Sequence, residues 1–310
     1  MRAFGLTAFD AAPELIEVDV AEPAEGEVRV QVRAAAVNGF DLAVAGGLLK
    51  DMMEHRFPVV LGKDFAGVVD AVGPGVTGFQ VGDRVFGVVT KPYLGDGSFA
   101  EFVTVSTAVG LAKLPDEVDY AEGAALGLAG TAAIQALDAA EVQPGHKVLV
   151  VGATGGVGNQ AVQLATQAGA HVVATAATDD ERELVTDLGA ATVVDYTGDL
   201  AAEVRQVHAD GVDVVLHFAG DPSLALAPVR PGGRLASTLI MSPEQVPTDD
   251  ATVHAIYANP DAATLDRAVR HHVAGDSRVR VQQTFPLGEV PAAFEAFAAG
   301  TLGKLVVNID

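Results

Sequence analysis

At 310 residues, 49% of them hydrophobic and 34 of them glycine, the chain has material for two packed cores and lacks the low hydrophobicity of a disordered polymer. The absence of cysteine removes disulfides, a thiolate nucleophile and any cysteine-bound zinc. A formal net charge of −22 repels nucleic-acid phosphates and anionic membranes, so neither is expected as a partner and the charge is assigned to a solubility surface.

The N-terminus carries Asp10 and Glu14 where a signal peptide needs an apolar core. The longest uncharged apolar run, Gly123 to Ile134, falls short of the roughly 18 residues that span a bilayer, and a cytoplasmic location is expected. The N-terminal third reads as short strands, "EVRVQVRAAAV", "AGVVDAVG", "DRVFGVV" and "AEFVTV", punctuated by Gly73-Pro74-Gly75 and Val81-Gly82-Asp83. From His146 onward all-apolar strands alternate with amphipathic helices: "KVLVVG", "HVVATA", "ATVVDY", "VDVVLHFAG" and "GGRLAST". Strands apolar on both faces belong in a parallel sheet covered by helices, which predicts a doubly wound domain. Val157, Ala161, Leu164, Ala165 and Ala168 form the helix stripe that faces this sheet. The tail returns to the first pattern, with a helix over "EVPAAFEAFAAG" and a last strand "KLVVNID" beginning at Lys304 that pairs with the β domain. The expected architecture is α/β, with a β domain from residues 1–113 and 284–310 and a doubly wound domain from 114–283 inserted into it.

"VLVVGATGGVGNQAVQLA" places Gly152, Gly155, Gly156 and Gly158 between a strand and an amphipathic helix. Such a turn lets backbone amides approach a diphosphate at a helix N-terminus. The spacing departs from G-x-G-x-x-G, and the alternative is a purely structural turn. The second strand ends "ATAATDDER", with Ala176 and Ala177 where an NAD site places an acid on the ribose 2′-hydroxyl. Small residues leave room for a 2′-phosphate, which Thr175, Thr178, Arg182 and Tyr196 are placed to bond, so NADP(H) is the expected cofactor. Asp179 and Asp180 either repel that phosphate by turning inward or form the acidic first turn of a helix.

Taken together, "AAAVNGFDLAVAGG", "PVVLGKDFAGVVDAVGPGVTGFQVGDRVFG", "GSFAEFVTV", "GLAGTAAIQAL", "VLVVGATGGVG", "LGAATVVDY" and "VRPGGRLAST" give the chain a resemblance to the medium-chain dehydrogenase/reductase superfamily, in its zinc-free quinone oxidoreductase branch. The resemblance covers essentially the whole chain. It implies a GroES-like β-barrel catalytic domain and a Rossmann doubly wound parallel-sheet domain. In zinc-using members a Cys stands at the position of Asn38, and Gly-His-Glu at that of Gly62-Lys63-Asp64; no metal is therefore expected, and a lone pair such as Glu54-His55 reads as a solvated surface. The resemblance places Thr131 near the nicotinamide, where an ordinary helix hydroxyl is the alternative. It places Thr154, Gly155, Gly156 and Val157 on the diphosphate turn, Tyr196 beside the adenosine phosphate, and Ala219, Thr238 and Tyr257 along the later part of the cofactor groove.

In such an enzyme hydride transfer is the cofactor's chemistry, and the protein must orient the ring and stabilise charge on the substrate oxygen. Asn38 and Lys63 are the candidates for that stabilisation, with Asp41 positioning the Asn38 loop; an ion-pair role for Lys63 is the alternative. Many quinone reductases of the branch carry a Tyr where this chain has Ala43, so the final proton is assigned to water. "PYLGDG" is expected at the mouth of a cleft, with Tyr93 closing it or simply packing. The reading is an NADPH-dependent quinone or enone reductase, with an enoyl-thioester reductase or a non-catalytic NADP(H) sensor as alternatives. A homodimer joined through the apolar strand of "DATVHAIYANP" is expected by resemblance.

Overall fold

The computed structural model describes residues 1–309. Their Cα packing divides into two units: Met1–Leu128 with Pro260–Val273 and Arg280–Asp310, and Ala129–Asn259 with Ala274–Val279. The expected boundary after residue 113 falls before helix α2 (Tyr120–Ala139). The division lies instead inside that helix, because Leu128 is hydrogen-bonded into the first unit by a buried carboxylate described below.

The first unit holds β1 (Arg2–Leu6), β2 (Glu14–Glu17), β3 (Glu27–Ala36), α1 (Gly39–Ala45), β4 (Val59–Val60), β5 (Asp64–Val72), β6 (Arg84–Val88), β7 (Phe102–Ser106) and β8 (Leu111–Lys113) before α2. A three-stranded sheet runs β2-β1-β4. A seven-stranded sheet is completed from the C-terminal part of the chain by β15 (Val281–Pro286) and β16 (Lys304–Asn308), in the order β15-β16-β3-β5-β6-β8, with β7 on β3. The last strand runs antiparallel to β3, Val306 opposite Ala36, which is the return to the N-terminal domain that the sequence predicts. Alternation along β3, with Val28, Val30 and Val32 buried, drives these strands onto a core that includes Phe65, Phe99, Leu111 and Leu305. Helices α7 (Ala262–Ala274) and α8 (Val290–Ala298) complete the helical content around this part of the sequence.

The second unit is one six-stranded sheet, every pair of it parallel, from β9 (Lys147–Val151), β10 (His171–Thr175), β11 (Thr192–Val194), β12 (Val212–His217), β13 (Val229–Ser237) and β14 (Ala251–Ala255). Its order is β11-β10-β9-β12-β13-β14. Helices α3 (Gly156–Gln167), α4 (Asp179–Asp187), α5 (Leu200–Val207) and α6 (Pro222–Leu226) are the crossovers. Leu149, Val173, Val215 and Leu235 make its core from adjacent strands. Counted within the unit the strand order is 3-2-1-4-5-6, which puts the reversal of direction between β9 and β12, where open α/β sheets bind ligands beyond the carboxyl ends of their strands.

At that point the chain turns out of β9 with Gly152 at φ +80° and enters α3 through Gly155. Gly158 is the tightest position, since a Cβ there would lie 2.1 Å from the Gly152 carbonyl oxygen and 2.7 Å from the Ala153 Cα. Both contacts are backbone, so nothing can swing aside. Gly158→Ala is expected to lower unfolding free energy by about 1–3 kcal/mol in urea titrations, the usual cost of forcing a methyl into a filled space; a variant as stable as the parent would show that the helix can retreat from the turn.

Candidate functional site

Two arrangements carry chemistry, one in each unit. In the second unit the bend between β9 and α3 presents Ala153 to Gly156 ahead of a 12-residue helix whose first amides have no partner within the helix. The bend is braced from β10: the buried Thr175 hydroxyl accepts from the Gly152 amide at 3.1 Å and donates to the Val150 carbonyl at 3.3 Å. A glycine-lined turn at the sheet reversal with a helix dipole behind it fits the diphosphate of a dinucleotide. Thr175, one of the residues expected at a 2′-phosphate, thus bonds the turn itself.

The other expected contacts are placed as follows. Ala176 is buried and Ala177 half-buried at the end of β10. Thr178 is the N-cap of α4, its hydroxyl accepting from the Glu181 amide at 3.3 Å. Asp179 and Asp180 form the first turn of that helix, the second of the two readings the sequence left open. Arg182 Nη2 lies 3.7 Å from Asp195 Oδ2, and the exposed Tyr196 hydroxyl donates to Glu181 Oε1 at 3.2 Å. Ala219 follows β12 exposed, Thr238 follows β13 half-buried, and Tyr257 follows β14 exposed, with its hydroxyl on the Met241 carbonyl. Thr154, Gly155, Gly156 and Val157 are all half-buried on the bend, whereas Thr131 is fully buried in α2. Glu181 is the residue here that the sequence reading passed over; the signal was the Thr-x-x-Glu spacing of a capping box from Thr178.

In the first unit Asn38, Asp41, Lys63, Asp64 and Lys304 converge. Asn38 ends β3 and caps α1, its amide donating to Asp41 Oδ2 at 2.8 Å. Its side-chain nitrogen donates to Asp64 Oδ2 at 2.9 Å, and its side-chain oxygen accepts from Lys304 Nζ at 2.7 Å. Lys304 also donates to the Val37 carbonyl at 2.9 Å and lies 3.4 Å from Asp64 Oδ2. The other Asp64 oxygen accepts from the Leu128 amide at 2.7 Å. Asp64 and Lys304 are buried, at 0% and 4% side-chain exposure. Neither was singled out for a role from the sequence, because a single Asp and a single Lys in apolar strands carry no spacing that joins them.

Lys63 stands apart from this pair. It donates to the Val89 carbonyl at 2.6 Å and lies 4.9 Å from the centre of the Phe40 ring. Burial pushes its ammonium below the usual range, and Asp41 and Asp64 oppose that shift. Together with Asp41, Phe40, Val89 and Tyr93 it lines a small cavity of about 20 Å³. Tyr93 is fixed there by the Arg56 guanidinium over its ring and by its hydroxyl donating to Asp96 at 2.9 Å. Burial raises the Asp41 carboxyl to about 7 against the pull of the Asn38 amide, with Asp64 raising it further and Lys304 and Lys63 lowering it; Asp41 Oδ1 has no hydrogen-bond partner. Burial likewise raises Asp64, opposed first by Lys304.

The donor set does not suit zinc. Lys304 delivers an ammonium onto Asn38 and Asp64, filling with the chain's own cation the place where a metal would need lone pairs. Among the described residues no three His, Cys, Asp or Glu side chains group as a metal site, and no helix is long and apolar enough to cross a membrane.

A doubly wound sheet with a glycine bend at its reversal, in a chain that also carries a mainly antiparallel β unit with a buried polar cluster, defines a dinucleotide-dependent oxidoreductase fold. Residues 24–116 match the alcohol dehydrogenase GroES-like domain and residues 156–259 the zinc-binding dehydrogenase family. The chain is 32% identical over 316 residues to the chloroplast envelope quinone oxidoreductase homolog of Arabidopsis thaliana, covering 96% of this chain and 94% of that protein. It is 38% identical over 213 residues, 68% of its length, to a mycocerosic acid synthase-like polyketide synthase of Mycolicibacterium smegmatis, of which it spans only 10%. The quinone oxidoreductase of Coxiella burnetii superimposes with a TM-score of 0.90 at 25% identity, covering 100% of this chain and 99% of that one. The chain belongs to the medium-chain dehydrogenase/reductase superfamily, in its quinone oxidoreductase-like branch.

The Asp41 shift has a definite sign. A carboxyl that stays protonated to about pH 7 when folded, but ionises near pH 4 when unfolded, makes the folded state hold the extra proton across that window. Stability on its account is complete below the window and is lost as pH rises through it, by at most about 1.4 kcal/mol per pH unit. Asp41→Asn keeps an acceptor for the Asn38 amide and removes the titration. In urea unfolding at a series of pH values, parent stability relative to this variant should fall between about pH 4 and 7 and then level off; parallel profiles would mean that Asp41 is ionised in the fold.

Proposed function

We propose that this chain is a zinc-independent reductase that uses a nicotinamide dinucleotide to reduce a quinone, an enone or a related small activated carbonyl or alkene. The observation that carries this reading is Lys63, an ammonium held in a cavity wall by one backbone carbonyl, with its charge not spent on a close carboxylate. When bound, the dinucleotide supplies the hydride. The chain supplies the rest: Lys63 faces the substrate oxygen as negative charge develops, Phe40 and Val89 keep water from that charge, and Asn38 is held in one orientation by Asp64 and Lys304. Bend amides from Thr154 to Val157 hold the diphosphate, and Thr131, Ala219, Thr238 and Tyr257 are proposed along the remainder of the cofactor. The phosphorylated form, NADPH, has the support of the small side chains of Ala176 and Ala177 and of the nearby Arg182.

An enoyl-thioester reductase remains the alternative within the superfamily, and the net charge of −22 weighs against it because a long phosphorylated carrier arm calls for basic residues. Replacing Lys63 with Met should lower kcat/KM at least tenfold for any accepted substrate while leaving the Kd for the dinucleotide unchanged, since the charge acts on the substrate oxygen. Stopped-flow oxidation of NADPH and NADH against a panel of quinones, enones and enoyl thioesters is the measurement; no turnover with any acceptor would favour a dinucleotide sensor.

The proposed assembly is a homodimer joined through β14, one of the two edge strands of the parallel sheet. Light scattering on the eluted peak should give twice the 31.7 kDa chain mass; a peak at the single mass would remove the dimer.

A further inference from the structure

We infer that Asp41 is the proton store of the proposed reduction, passing its carboxyl proton across the adjoining cavity to Lys63 after Lys63 has given one to the substrate oxygen. The inference rests on the role proposed for Lys63 and adds the source of the proton. The two oxygens of Asp41 have different surroundings. Oδ2 accepts from the Asn38 amide at 2.8 Å, whereas Oδ1 has no hydrogen-bond partner although the residue is 1% exposed. A buried, ionised oxygen without a partner is costly, and a carboxyl that carries its proton on that oxygen avoids the cost. The proton therefore belongs on Oδ1, and Asp41 lines the same cavity as Lys63.

The other titratable groups around that cavity are committed to one another. Lys91 is paired with Glu27 and lies 3.8 Å from Asp96, and Asp96 accepts from the Tyr93 hydroxyl at 2.9 Å. What remains is Asp41 Oδ1 and the Lys63 ammonium, whose hydrogen bond goes to the Val89 carbonyl. A volume of about 20 Å³ admits one water molecule and no substrate, so what the cavity can carry between the two is a proton. The steps balance. Once a hydride has reached the substrate carbon, an N–H bond of Lys63 breaks as an O–H bond forms on the substrate; the Lys63 amine then takes the Asp41 proton, and solvent restores Asp41. Burial lowers the Lys63 ammonium and raises the Asp41 carboxyl to about 7, which brings acid and base together. Among the charges that face Asp41, Asp64 raises it further while Lys304 and Lys63 lower it.

Asp41→Asn keeps an acceptor for the Asn38 amide and cannot carry the proton. Stopped-flow traces would follow NADPH with whichever of cyclohexenone and naphthoquinone the parent reduces. Near about pH 6, Asp41→Asn should complete its first turnover at the parent's rate, because Lys63 is already charged, and then turn over at least roughly tenfold more slowly. The parent should acquire the same slow second phase as pH rises through about 7, where Asp41 loses its proton. A merely structural Asp41 would slow the first turnover as well. Infrared difference spectra of the chain without dinucleotide give a reading independent of turnover: raising the pH through that range should remove a protonated-carboxyl band from the parent that Asp41→Asn lacks. Equal slowing of both phases, later turnovers at the parent's rate, or a parent without that band would each overturn the store. The reading of Lys63 fails separately, through a parent with no first turnover or a Lys63→Met variant whose first turnover is unchanged, and the store would fall with it.

Discussion

Removing Asp64 from water is the constraint around which the first unit is arranged. A carboxylate with no exposure is tolerated only when each of its oxygens is bonded and a cation is near. Meeting those conditions recruits Asn38 from the end of β3, Lys304 from the start of β16 and the Leu128 amide from α2. Three segments far apart in sequence are thereby tied to one carboxylate. The same demand explains a glycine: a Cβ on Gly127 would lie 2.7 Å from Asp64 Oδ1, so the helix can approach the carboxylate only where it carries no side chain. Buried ion pairs give little net stability, and their retention is better explained by the orientation they impose on Asn38.

Lys304 and Lys63 share a charge but not an environment, and the contrast is what supports the role proposed for Lys63. Lys304 meets a carbonyl, an amide oxygen and a carboxylate, which uses all three of its donors. Lys63 meets one carbonyl and an aromatic ring at a cavity wall. An ammonium in the second situation gains most when a negative oxygen appears in front of it, and in the proposed reaction such differential stabilisation would accelerate the chemistry.

Much of this was legible in the sequence. Period-two strands such as β3 and the all-apolar β9, β10 and β12 announced the two kinds of sheet, and the glycine spacing between β9 and α3 located the bend. Less visible were β1, β2, β4 and β8, which are two to five residues long and too short to show a period. The Asp64–Lys304 contact was hidden for a different reason: it joins positions 240 residues apart, and a tertiary pairing leaves no local pattern. Thr175 and Thr178 were read as phosphate ligands because hydroxyls at a strand end suit that task. The fold gives both a further use that the sequence did not show, one bracing the Gly152 amide and the other capping α4.

The second unit solves at β10 the problem that the first solves at Asp64, by another route. The amides of Ala177 and Thr178 precede the first turn of α4, and Glu181, the third residue of that helix, accepts from both through one carboxylate oxygen while the other meets Tyr196. Closing the helix terminus and fixing the Tyr196 hydroxyl are then one act of one carboxylate.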